Sequence, residues 1–123
     1  MSGRTAAEDD VGTAPELDTV IHAPARLRLV AALAALEPGD SIAFPRLQKL
    51  QDLTAGNLGA HLRKLEDAGY VAVEKTHRGR TPTTYVALTP RGRQALVDHT
   101  AALRALLEPV VPRPAARPVE ETP

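Results

Sequence analysis

The side chains able to do chemistry in this chain are few. It has four histidines (His22, His61, His77, His99), no cysteine, and two serines, Ser2 and Ser41. Without thiolates and with no His-x3-His spacing, the sequence offers no ligand set for zinc or another transition metal. Asp98 and His99 are adjacent and leave a helix in different directions. Neither serine stands in the context of a nucleophile, and there is no glycine-rich phosphate loop. The reading is therefore of a protein that is not an enzyme and takes no cofactor and no metal. What remains is cationic and amide chemistry. Arg78 and Arg80 flank Gly79, and Thr54, Asn57 and Lys64 follow one another at intervals that a helix would bring to its exposed side. Guanidinium and ammonium groups pair with phosphate oxygens, and an asparagine amide pairs bidentately with adenine.

Local charge supports that chemistry where the total does not. The 123 residues carry 15 basic and 15 acidic side chains. From His61 to Arg93, however, Arg63, Lys64, Lys75, Arg78, Arg80, Arg91 and Arg93 stand against only Glu66, Asp67 and Glu74. The opposite sign gathers at the start, where Glu8, Asp9, Asp10, Glu16 and Asp18 face the single Arg4. A surface responds to its local potential, so a basic block inside a neutral protein reads either as a solvated face or as a polyanion-binding one. With only Phe44, Tyr70 and Tyr85 as aromatics, a base-stacking platform is not expected.

The elements that must position these residues are marked by changes of apolar period. Residues 1–15 are acidic and aperiodic and read as a disordered tail; residues 109–123 contain five prolines and read as a second. Residues 16–108 form the one expected domain. Within it, Pro24 opens a helix over Ala25–Leu36, with Leu27, Val30, Ala31 and Ala34 at helical spacing. Ser41–Ala43 is a short extended piece. Pro45 opens a second helix ending near Gln51, in which Phe44, Leu47 and Leu50 recur every three residues. Thr54 caps a third, with Leu58, Leu62 and Leu65 on one face and Gly69 as its left-handed stop. Tyr70–Thr76 and Thr83–Leu88 alternate as the strands of a hairpin, joined by the cationic connection His77–Pro82. Thr89-Pro90 starts a last helix running to about Glu108. The fold class is α+β, mostly helical. Its order is that of a winged helix-turn-helix: a three-helix core, a β-hairpin wing and a C-terminal dimerisation helix.

The run Leu53-Thr54-Ala55-Gly56-Asn57-Leu58-Gly59-Ala60-His61-Leu62-Arg63-Lys64-Leu65-Glu66-Asp67-Ala68-Gly69-Tyr70-Val71 resembles the recognition helix and first wing strand of bacterial winged-helix regulators of the MarR and ArsR type. Those families share Leu-Thr/Ser before a His-Leu pair, a further Leu three residues on, and Ala-Gly followed by an aromatic or aliphatic residue and Val. His22-Ala-Pro-Ala-Arg-Leu-Arg-Leu before this run and Leu88-Thr-Pro-Arg-Gly-Arg after it resemble the small stand-alone members, over residues 17–107. The resemblance implies a cytoplasmic, nucleoid-associated homodimer that binds double-stranded operator DNA and regulates transcription as a repressor. It also allows a small-molecule effector, which no cluster of residues locates. No stretch of the sequence reads as a membrane span.

Carried onto this sequence, the DNA-contacting residues are Thr54, Ala55, Gly56, Asn57, Ala60, His61 and Lys64 on helix 54–68. In the wing, 77–83, they are Arg78, Gly79 and Arg80. The family often has Ser or Thr at position 56, Ser at 59 and a long polar residue at 60, where Gly56, Gly59 and Ala60 stand here. This smooth surface favours close backbone approach, with apolar contact from Ala60 to a thymine methyl. Arg78 and Arg80 suit the narrow minor groove of an A-tract. Leu96, Leu103, Leu106 and Leu107 form a seam on the last helix expected to meet a second chain, with Leu17 and Val20 as further contributors. The alternative reading of the same elements is a winged-helix protein-interaction module in a larger transcription or chromosome complex.

Overall fold

A computed structural model describes residues 16–110; the two expected tails, 1–15 and most of 109–123, lie outside them. The elements are α1 (Thr19–His22), α2 (Pro24–Ala34), β1 (Ser41–Ala43), α3 (Phe44–Gln51), α4 (Ala55–Asp67), β2 (Val71–Arg78), β3 (Thr81–Leu88) and α5 (Pro90–Leu107). The punctuation acts as its chemistry dictates. Pro24 and Pro45 sit in the first turns of α2 and α3, where a missing N–H leaves nothing unpaired. Thr54 and Thr89 cap α4 and α5 by accepting from the amides of Asn57 and Gly92. Gly69, just past α4, takes φ +82°.

The three strands form one antiparallel sheet in the order β1-β3-β2. Ile42 and Val73 both register on Val86, and Val71 on Leu88, so one sheet face carries a continuous apolar row. That row meets Leu29, Val30 and Leu33 of α2, Leu47 of α3, and Leu58, Leu62 and Leu65 of α4 in a single core. Fully burying each such side chain contributes about 1.5–3 kcal/mol. The helix-turn-helix and hairpin are as the sequence predicts.

Four details differ. A one-turn helix, α1, precedes the expected first helix; its Ile21 is fully buried, and Val20 is half-buried against the same core. Both side chains therefore serve intramolecular packing. The helix at Pro24 ends two residues earlier than expected, at Ala34, where Arg93 of α5 donates to the carbonyls of Ala34 (3.1 Å) and Leu36 (3.4 Å). Leu50 is 60% exposed, because two three-residue steps rotate it about 120° away from Phe44 on a helix of 100° per residue. The cationic connection is also shorter than expected. His77 pairs with Pro82 and Arg78 with Thr81, leaving a two-residue turn of Gly79 and Arg80. Gly79 has φ +64°, which a tight hairpin turn of this kind asks of its first central residue. Pro82 is accommodated because β1 pairs only with Tyr85–Ala87 and leaves the other side of β3 unpaired there.

Candidate nucleic-acid interface

Helix α4 is divided between two tasks. Leu58, Leu62 and Leu65 are buried, while Thr54, Ala55, Gly56, Asn57, Ala60, Arg63 and Lys64 are all exposed. A helix of 13 residues is about 20 Å long, and the major groove, about 12 Å wide, admits one. The turn before it is tight. Asp52 adopts a left-handed conformation (φ 55°, ψ 51°), and the Leu53 amide donates to the carbonyl of Gln48 at 3.1 Å. This fixes α3 against α4 and turns the N-terminus of α4 outward. There Thr54 Oγ1 accepts from the Asn57 amide at 3.1 Å, and the amides of Ala55 and Gly56 lie outside the intrahelical ladder.

The glycines of this helix answer no internal need. A β-carbon on Gly56 or on Gly59 would meet nothing within 4 Å, and neither residue has a positive φ. Beside Gly59 an open groove of about 440 Å³ separates α4 from the hairpin. Phe44, Leu62 and Val73 line its apolar side, and Arg63 and Lys75 bring positive charge to it against the one carboxylate of Glu66. Lys75, on β2, is a further cation of this surface, marked in the sequence only by its place in the basic block.

His61 is held from behind rather than presented outward. Its ring is half-buried, and Nδ1 lies 3.5 Å from the guanidinium of Arg26 on α2, whose Nε donates to the Val20 carbonyl at 2.5 Å. Burial, with the charges of Arg26 and Lys64, lowers the His61 pKa below 6.5 and favours the neutral ring. Arg26 thus links Val20 of α1 to the His61 ring on α4. Its relation to His61 joins residues 35 apart and leaves no trace in local spacing.

At the hairpin tip Arg78, Gly79 and Arg80 are exposed, at the far end of the strands from the core. The structure brings Gly56, Asn57, Ala60 and Lys64 onto the helix face opposite the buried leucines, with Thr54 and Ala55 exposed at its N-terminal end, and sets Arg78, Gly79 and Arg80 apart from them on the turn. On α5, Leu96 packs against the core, Leu103 is half-buried, and Leu106 and Leu107 are 52% and 43% exposed. Val97 and Val110 are exposed as well. Leu17 is half-buried. Among the described residues no three histidine, aspartate or glutamate side chains gather as a metal site would require, and no helix is long and apolar enough to cross a membrane.

Comparison with known proteins agrees with this geometry. Residues 25–107 match the profile of the winged helix DNA-binding domain. The fold is similar to that of a transcriptional regulator homologue from Pyrococcus horikoshii OT3, with a TM-score of 0.68 and 31% identity, over 76% of this chain and 89% of that one. A MarR-family transcriptional regulator from Enterococcus faecalis V583 shares the fold with a TM-score of 0.59 at 24% identity, covering 88% and 91% of the two chains. An uncharacterized protein of Methanocaldococcus jannaschii is 31% identical over 80 residues, which are 65% of this chain and 84% of that protein.

Proposed function

Because the chain belongs to the winged helix DNA-binding domain family, we propose that it is a homodimeric transcriptional repressor that occupies operator DNA at the nucleoid. Helix α4 enters the major groove, and the Gly79-Arg80 turn reaches the adjacent minor groove. The observation that carries this reading is the division of α4. Its leucines are consumed by the core, and its exposed face offers Asn57, Arg63 and Lys64 around a surface of glycine and alanine. The similarity to a transcriptional regulator homologue at 31% identity supports the regulatory role. The dimer is supported by the end of α5, which exposes Leu106 and Leu107, and by Val110, exposed in the turn just beyond it. Two α4 helices so joined would face successive turns of the duplex, about 34–36 Å apart.

The test is a titration of the full chain against its own promoter-proximal DNA and a scrambled duplex at two salt concentrations, with light scattering for the oligomeric state. Binding by a dimer that prefers its own promoter and weakens steeply with salt is expected, since each neutralised phosphate adds about 0.9 to the logarithmic salt slope. Charge reversal at Arg78 and Arg80 should lower both affinity and slope. Failure to bind either duplex at low salt would overturn the proposal and favour a protein partner on α4.

A further inference from the structure

His99, on the inner face of α5, is 2% exposed and the only polar residue in the buried set among the described residues. Its Nδ1 accepts a hydrogen bond from the backbone amide of Asp18 at 3.2 Å. A ring nitrogen that accepts from an N–H carries no proton, so the neutral ring must hold its proton on Nε2. Nε2 is itself buried, with no hydrogen-bond partner among the described residues. The environment therefore accepts one state of this side chain, the neutral ring in one tautomer. A second proton, on Nδ1, would point at the Asp18 N–H, donor against donor, and leave a cation with no acceptor at either nitrogen.

What this bond holds is the cap of α1. Asp18 Oδ1 accepts from the amides of Val20 (2.9 Å) and Ile21 (3.2 Å), and Oδ2 accepts from the Tyr70 hydroxyl (2.5 Å) at the root of β2. His22, at the other end of α1, sets its ring edge-on to His99 with centroids 5.4 Å apart. The titratable groups around the ring are thus Asp18 and His22 from the α1 segment and, through Asp18, Tyr70. Asp98 precedes His99 on α5, and the charges of Asp98 and Arg91 act on Tyr70.

We propose that His99 is a proton-operated latch: the neutral ring fastens the Asp18 cap of α1 to α5, and protonation releases α1 and the Tyr70 anchor together while the remaining helices stay folded. Asp18 is the joint through which both are held. The direction of the His99 titration agrees. Burial and the neighbouring His22 hold its pKa below 6.5 against the opposing pull of Asp18, so the latch is closed at neutral pH and opens on acidification.

The test uses the full chain labelled with ¹⁵N. At pH 7.5 the imidazole nitrogen shifts of His99 should report the Nε2–H tautomer. Between pH 7.5 and 5.5 the amide protection factors of Val20 and Ile21 should fall at least tenfold further than those of Leu62 and Leu65 in α4. In His99→Asn, whose side chain does not titrate, that pH-dependent difference should vanish. An Nδ1–H tautomer in the unsubstituted protein overturns the proposal. So does a parallel loss of protection in α1 and α4, and both measurements stand even if the variant does not fold.

Discussion

Gly92 lies directly beneath the carbonyl of Tyr70, with no room for a side chain. A β-carbon placed on it would run into that carbonyl and approach Leu88 Cδ1 at 2.8 Å. Around it the Thr89 amide donates to the same Tyr70 carbonyl at 3.0 Å, and Thr89 Oγ1 donates to the Gly69 carbonyl at 2.6 Å. The close approach welds the first turn of α5 to the end of α4 and the start of β2. Gly92→Ala must push backbone rather than a flexible side chain, so it should destabilise the fold by roughly 1–3 kcal/mol. A urea midpoint equal to that of the unsubstituted protein would show that this junction yields more easily than its geometry implies.

Gly56 and Gly59 should behave in the opposite way. Open space surrounds both, and neither has a positive φ. Alanine at either position should stabilise α4, by about 0.8–1 kcal/mol each on helix propensity alone, read as a higher urea midpoint. If α4 approaches DNA by its backbone, the same substitutions should weaken operator binding in a mobility-shift or anisotropy titration. Gains in stability with affinity unchanged would mean that the smooth face of α4 is not the contact.

The exposed end of α5 separates stability from assembly. Leu106 and Leu107 are about half exposed, so Leu106→Asp with Leu107→Asp should change the stability of the isolated chain little, within about 0.5 kcal/mol per site. The proposed dimer should weaken by roughly 2 kcal/mol or more, about thirtyfold in dissociation constant. Sedimentation equilibrium reads this directly. A dimer unaffected by both charges would place the interface elsewhere.

Stability should also fall on mild acidification. The pKa values of His61 and His99 are both lowered from 6.5, in each case chiefly by burial. Between those lowered values and 6.5 the unfolded chain binds more protons than the folded one, so their stabilisation is complete above about pH 6.5 and declines below it. Asp18 acts in a separate, more acidic window. Burial raises its pKa, but hydrogen bonds from Tyr70, Ile21 and Val20, with the charge of His99, outweigh this and hold it below 3.8. Its contribution persists until the pH falls below that value. Urea midpoints should differ little between pH 7.5 and 6.5 and fall by pH 5.5; a flat profile across all three would contradict the lowered pKa values of the two rings.

Much of this fold was legible because its signals are local. Leu58, Leu62 and Leu65 repeat at helical spacing, Thr54 and Thr89-Pro90 open helices, and Gly69 closes one, all within a few residues of what they control. The exposed face of α4 followed from the same periodicity. What escaped depends on distant partners. The bonds by which Asp18 caps α1 are local, but what holds Asp18 in place is not, since Tyr70 and His99 lie 52 and 81 residues away. The turn at Gly79 and Arg80 was shorter than it seemed because His77, Thr81 and Pro82 have no apolar alternation, and their pairing is enforced by the strands behind them. Arg26 and Arg93 look like surface cations in sequence, yet each ends on a backbone carbonyl of another segment.

The Arg93 contact bears on how two such chains would set their grip. By holding the carbonyls of Ala34 and Leu36, Arg93 fastens α5 to the far end of α2, and Gly92 fastens the same turn to the hairpin root. The opening of α5 is thereby fixed to the winged-helix core and is not a hinge beneath it. Any adjustment of the span between two reading heads falls to the helix beyond Ala102, the last buried residue of α5. In the proposed dimer that stretch would be the caliper, its length and packing setting the gauge of DNA the pair could straddle.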